Sequence, residues 1–134
     1  MPTRESIENL INRYSLGYDT ADMDAIAGCF AEDAVFRMRL PGNDPISFDG
    51  RDAIMALMRQ SAQSQTDQRR HVNSNLIVHG TEGGVTRTTH YLTLLATENG
   101  EIELLTAGVY RLEIVVEGDD LRLQTLDLEL DRPY

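Results

Sequence analysis

The sequence predicts an α+β fold in which helices come first and an antiparallel sheet follows. Three observations carry this expectation. Apolar residues recur at helical spacing in three stretches before about residue 60, and long β-rich segments follow from about residue 70. Those segments are separated by turn-forming residues at Gly80, Gly83-Gly84, Asn99-Gly100 and Gly118-Asp119-Asp120. The 134 residues are 41% apolar, which fits a single domain over 1–134 with a core completed by neither metal nor disulfide.

From Thr3 to about Asp19, the residues Ile7, Leu10, Ile11, Tyr14 and Tyr18 fall on one helical face. Thr3 is suited to cap this helix, and Glu5 and Glu8 suit the positive end of its dipole. Thr20-Ala21-Asp22 interrupts it. Asp22 is then expected to cap a shorter helix reaching Phe30, with Met23, Ile26, Ala27 and Phe30 buried. Residues 34–40 read as a strand, 42–45 as a turn, and Ile46-Ser47-Phe48 as a short returning strand. A third helix follows Asp49-Gly50 with Ile54, Leu57 and Met58 inward, fading into the polar run 60–68. Strands are expected near 70–79, 85–97, 102–116 and 121–130. Asn99-Gly100 marks a tight hairpin, because both residues tolerate positive φ. Helices followed by such a meander are expected to pack on one face of the sheet.

Composition excludes several function classes. The formal charge is −10, from 22 acidic and 12 basic side chains, and basic residues form only short pairs such as Arg69-Arg70 and Arg37/Arg39. Such a surface repels nucleic acid. All basic residues are Arg, so a lysine Schiff base and a phosphate-loop lysine are both excluded. No apolar run approaches a membrane span, and the stretch MPTRESIENL has neither a basic n-region nor an apolar h-region. The lone Cys29 cannot form an internal disulfide, which fits a reducing cytoplasm; it reads as a small buried residue rather than a nucleophile. No clustered ligand motif points to a metal, and no dinucleotide or phosphate fingerprint points to a cofactor.

Three ionisable residues stand out. Asp19 ends the first helix beside Tyr18. His71 opens the first long strand, in phase with Asn73, Asn75 and Ile77. His90 lies mid-strand in phase with Leu92 and Leu94, which turns it inward. A carboxylate beside an imidazole makes a general base, since it fixes the tautomer and stabilises the imidazolium that forms. Spacing alone does not bring the three together, and on that footing each is first a structural residue. His79, before Gly80, reads as a solvated strand end.

The order of motifs is distinctive. Arg13-Tyr14, Tyr18-Asp19, Asp22-Met23-Asp24, the run from Cys29 to Ala34, Phe48-Asp49-Gly50 and the terminal Asp131-Arg132-Pro133-Tyr134 together resemble the nuclear transport factor two-like superfamily, in its SnoaL-like branch. The resemblance implies a cone: a bent antiparallel sheet wrapped around a helix, with about three helices near the N-terminus and a pocket at the open end. Within that superfamily, scytalone dehydratase and hexachlorocyclohexane dehydrochlorinase use an Asp–His pair. Asp19 and His71 look like those positions, His90 looks like the dehydratase's second histidine, and Tyr18 resembles the tyrosine before the Asp. The acids of ketosteroid isomerase, on the same fold, look replaced by Met38 and Gly108. Around 104–108 the wall is more apolar than in the dehydratase, so the resemblance does not carry over a substrate.

The implied reaction is cofactor-free. His71, oriented by Asp19, removes a proton from carbon, and His90, Tyr14, Tyr18 or Tyr91 donates a hydrogen bond to the oxygen that gains charge. The pocket wall is expected from Tyr14, Phe36, Met38, Phe48, Leu57, Met58 and Tyr91. A dehydratase-like lyase on a small, mostly apolar oxygenated molecule is the first expectation. An isomerase or cyclase on the same site is the second. The third is a non-catalytic binding or structural subunit, resembling the small subunit of ring-hydroxylating dioxygenases. The long meander edge further predicts a homo-oligomer, dimer or trimer.

Overall fold

The computed structural model describes residues 2–134. Thr3 closes a capping box: its Oγ1 accepts from the Ser6 N–H at 3.0 Å, while its own N–H donates to Ser6 Oγ at 2.9 Å. Helix α1 (Arg4–Asp19) follows and buries Ile7, Leu10, Ile11 and Tyr14 along one stripe. Asp22 Oδ1 accepts from the Ala25 N–H at 3.1 Å and starts α2 (Met23–Ala27). Phe30, expected within that helix, instead opens strand β1 (Phe30–Arg39). The helix stops because the Cys29 carbonyl accepts from the Leu123 N–H at 2.7 Å, which draws the chain into the sheet.

Strand β2 (Ile46–Asp49) returns beside β1, and α3 (Arg51–Ser64) continues helically into the polar run beyond Gln60. The remaining strands are β3 (Gln68–Glu82), β4 (Val85–Glu98), β5 (Glu101–Glu117) and β6 (Asp120–Leu130). Their spatial order is β2-β1-β6-β5-β4-β3. The meander from β3 to β6 is antiparallel throughout, whereas β1 lies parallel to β6. The first strand therefore extends the sheet beyond its last. Asn99 (φ +54°) and Gly100 (φ +77°) make the two-residue turn between β4 and β5, with both residues in the left-handed region.

The sheet curls around α1 without closing. Register shifts interrupt β3–β4 between Ser74 and Ile77, β4–β5 between Leu94 and Leu95, and β5–β6 between Glu113 and Ile114. Bulges of this kind bend a strand and steepen its twist. The concave face so formed packs Leu92, Leu94, Tyr110, Leu112, Ile114 and Leu126 against the α1 stripe. The bulge in β3 also changes its phase. Asn75 takes φ +59°, so Leu76 and Val78 face the core while Ile77 is 58% exposed. A uniform alternation from His71 places Ile77 inside; the extra residue turns it out.

Gly108 allows a close approach of β6 to β5. A Cβ there would fall against the Glu129 carbonyl oxygen. Gly108→Ala is therefore expected to destabilise the fold by about 1–3 kcal/mol, measured as a lower urea midpoint at unchanged m-value. An unchanged midpoint would show that this approach is relaxed.

Candidate active site

Asp19 lies in the last turn of α1, at the negative end of the helix dipole and with no basic residue in that turn. A carboxylate is poorly placed there by its own helix. Two hydrogen bonds from β3 hold it instead: the His71 backbone N–H donates to Oδ2 at 2.9 Å, and His71 Nδ1 lies 2.6 Å from Oδ1. The side chains of His71 and Asp19 are 5% and 7% exposed, so the pair sits in a low dielectric. Since an ionised carboxylate only accepts, Nδ1 carries the proton. In the neutral ring this contact leaves Nε2 as the acceptor nitrogen, the tautomer a general base needs.

Tyr18 meets the His71 ring edge-on, with centroids 4.7 Å apart. Its hydroxyl accepts from Gln65 Nε2 at 2.6 Å and thereby keeps its own O–H to donate elsewhere. Gln68 Nε2 donates to the Asp19 carbonyl at 2.7 Å, and Arg69 pairs with Asp67 at 2.6 Å. A cavity of about 230 Å³ opens here, bordered by Tyr18, Asp19, Met58, Gln65 and Arg69. Three residues expected from the sequence, Tyr18, Asp19 and Met58, thus border one cavity.

His90 is elsewhere. Across the β3–β4 ladder His71 faces Leu94, four residues from His90, a span of about 13 Å along the strand. His90 is 2% exposed and stacks on Tyr110 at 4.8 Å with 23° between the planes. With Tyr14, Ser15 and Tyr110 it borders an inner space of about 10 Å³, room for roughly one water. Burial pushes the His90 imidazole down to about 4 and the Tyr14 and Tyr110 phenols up, so near neutral pH His90 is uncharged and both phenols keep their protons.

The remaining expectations divide. Tyr91 is corrected: it is 52% exposed, because it follows His90 on the strand and so points to the convex face. Phe36 packs edge-on to Phe48, and with Met38 and Leu57 both join the core beside β1 and α3 rather than bordering a cavity at the dyad. Cys29 is 2% exposed with its thiol pushed up by burial, and its Sγ donates to the Ala25 carbonyl at 3.3 Å. Arg37 and Arg39 both lie against Asp127, at 3.7 and 3.0 Å. His79 is exposed and hydrogen-bonds Thr89 at 2.7 Å. Among the described residues no three His, Cys, Asp or Glu side chains form a metal set, and no helix is long and apolar enough to cross a membrane.

Sequence reasoning missed Tyr110, Asn73, Ser15 and Gln65. Tyr110 carried a signal: it alternates in phase with Gly108, Leu112 and Ile114 on an inward strand face. Ser15, 5% exposed on α1, accepts from Asn73 Nδ2 at 2.8 Å and gives the helix a second polar tie to β3. Gln65 carried none, because it caps a helix in a polar run.

The His90 shift sets a pH dependence of stability. The unfolded histidine titrates near 6.5 and the folded one near 4. As pH falls through this window the unfolded chain gains the proton first, so stability present above about pH 6.5 is lost towards pH 4, by roughly 3 kcal/mol. Urea midpoints between pH 7 and 4 are expected to fall more steeply for wild type than for His90→Gln. Parallel curves would remove His90 from the acid response.

Several known proteins share this architecture. A model of the SnoaL-like domain matches residues 1–127. No curated protein matches the sequence. The β subunit of a putative aromatic-ring-hydroxylating dioxygenase from Novosphingobium aromaticivorans superposes with a TM-score of 0.84 at 17% identity, over 98% of this chain and 90% of that one. A protein from Catenulispora acidiphila in complex with S-DNPA gives 0.81 at 24% identity, over 94% and 91%. A nuclear transport factor two-like protein with a cystatin-like fold, again from N. aromaticivorans, gives 0.79 at 22%, over 95% and 80%. With 127 of its 134 residues matched, the chain belongs to the SnoaL-like domain family.

Proposed function

We propose that the protein is a cofactor-free lyase that removes a proton from a carbon acid, with Asp19 and His71 as its base. The observation that carries this reading is the 2.6 Å contact between Asp19 Oδ1 and His71 Nδ1, nearly closed from solvent. A buried carboxylate held at the wrong end of its own helix is an unfavourable choice for stability alone, and it is the arrangement a base needs.

His71 Nε2 takes a proton from the carbon next to a carbonyl. The C–H electron pair becomes the new C=C bond, and the bond from the β-carbon to a hydroxyl oxygen breaks with its pair on oxygen. The His71 imidazolium gives that proton to the departing oxygen, which leaves as water and returns His71 to its neutral form. Tyr18, beside His71 with its O–H free, donates to the oxygen that gains charge. His90, Tyr14 and Tyr110, all uncharged, border a separate inner space further along the sheet and take no part in this step. We take the substrate to be a small oxygenated molecule: Met23, Ile26 and Met58 give the cavity beside Asp19 an apolar side and Gln65, Gln68 and Arg69 a polar one, while His71 reaches it only through Asp19 and Tyr18. An isomerase uses the same base without the leaving group.

A second reading is a non-catalytic subunit, favoured by the likeness to the dioxygenase β subunit. In either case we place a homo-oligomer contact on the convex face, where Val72, Tyr91 and Leu104 are 46%, 52% and 55% exposed, and the working compartment in the cytoplasm.

A panel of small β-hydroxy ketones, followed for loss of water by mass spectrometry, tests the first reading. Asp19→Asn and His71→Ala are each expected to lower turnover about 10²–10⁴-fold, and Tyr18→Phe about 10²-fold, with circular dichroism unchanged. Wild-type turnover in Asp19→Asn or His71→Ala would remove the dyad from the mechanism. Co-purification with a larger iron-containing chain and no turnover would favour the subunit.

A further inference from the structure

Along β3, beyond His71, lies a second concavity that the dyad does not use. It is a groove of about 230 Å³ between the first half of α1 and the bulged part of β3, bordered by Ile11, Asn12, Asn73, Asn75, Leu76 and His90. Two of its side chains hold buried polar atoms with no hydrogen-bond partner among the described residues: Asn73 Oδ1 and His90 Nδ1. Such atoms are costly when unpaired, and native structures satisfy nearly all of them. The bulge is what brings them to the groove. It lies between Ser74 and Ile77, the segment of β3 that passes His90, and it holds Asn75 at φ +59°. Bulges cluster beside functional sites, where they re-aim side chains.

We infer that this groove is a binding site for a small, neutral, hydroxyl-rich molecule, a polyol or a sugar-sized fragment. Its polar groups are amides, a hydroxyl and an imidazole, and the charges among its lining residues are the mutually paired Arg4 and Glu8. Asn73 Oδ1 accepts, its amide being turned so that Nδ2 donates to Ser15 at 2.8 Å, and a ligand hydroxyl is the donor that matches it. The neutral His90 ring either donates or accepts there, as a hydroxyl does. The two charges at the rim are already matched: Arg4 pairs with Glu8 at 3.0 Å and donates to the Leu76 carbonyl at 3.0 Å, so the groove selects neither anion nor cation. Ile11 and Leu76 add the apolar flanks on which the C–H face of a sugar ring packs. The volume exceeds the roughly 30 Å³ share of one water and falls below that of a drug-sized pocket, which sets the ligand at fragment size. The inference does not rest on the dyad, and it holds for an enzyme or a binding subunit.

The test is a titration of the full-length ¹⁵N-labelled protein with glycerol and with methyl α-glucoside, against acetate, inorganic phosphate and cyclohexanol. Saturable shifts are expected at the Asn12, Asn73 and Asn75 side-chain amides and the His90 ring, in the millimolar range of fragments, with the two hydroxyl-rich probes alone. Asn73→Leu and Asn12→Leu should each weaken half-saturation about tenfold, and Asn12 is exposed, so its variant keeps the fold. His71→Ala should leave binding unchanged, which separates this site from the dyad. Shifts that stay linear, equal response to acetate, phosphate or cyclohexanol, or binding undiminished in Asn12→Leu would each overturn the inference.

Discussion

The packing of α1 into the concave face of the sheet is the constraint on which the rest depends. One stripe of that helix, Ile7, Leu10, Ile11 and Tyr14, is almost fully buried, and it needs a surface that curves around a cylinder. The bulged strands β3, β4 and β5 supply that curvature. Once the helix is seated, its polar residues have little freedom. Ser15 meets Asn73, and one turn later Asp19 meets His71. The same helix that fills the core thus delivers the carboxylate to the imidazole.

Electrostatics follow from this layering. Much of the formal charge of −10 lies on exposed side chains, and on the convex face Arg37, Arg39 and Arg111 lie against Asp127 and Glu129. The exposed Arg111–Glu129 pair adds little stability, whereas the largely buried Asp127 is gripped by two parallel hydrogen bonds from Arg39. The concave side is nearly uncharged: Tyr14, Tyr110 and His90 are held in their neutral forms by burial. Asp19 is the departure, and its two hydrogen bonds to β3 offset a dipole that opposes it. Polarity is therefore concentrated where α1 meets β3, first at the dyad and again at the asparagine-lined groove.

Local patterns were legible in the residues themselves. Thr3 and Asp22 cap because their oxygens reach N–H groups three residues on, an interaction contained within a few residues. Asn99-Gly100 turns because both adopt positive φ. The alternation in β4 placed His90 inside, and the same rule puts Tyr91 outside, which had been expected at the pocket wall only through the resemblance. The local pattern carries the second helix to Phe30, but the chain leaves it earlier, because the hydrogen bond that draws it into the sheet comes from Leu123, far along the chain. Ile77 keeps phase with His71 in the sequence yet points outward, because a bulge breaks a period that the residues show as unbroken.

By itself, then, the sequence determined the elements, their caps and turns, the inward face of most strands and the residue types able to act as a base. Those properties depend on neighbours within a turn or a strand's length. Only the tertiary structure decided that Asp19 and His71 touch while His90 stands about 13 Å further along, that Tyr110 backs His90, and that the β3 bulge opens a groove beside Asn73. Each of these is a contact across tens of residues. Such contacts are set by how far the sheet curls around one helix, and no local periodicity encodes that distance.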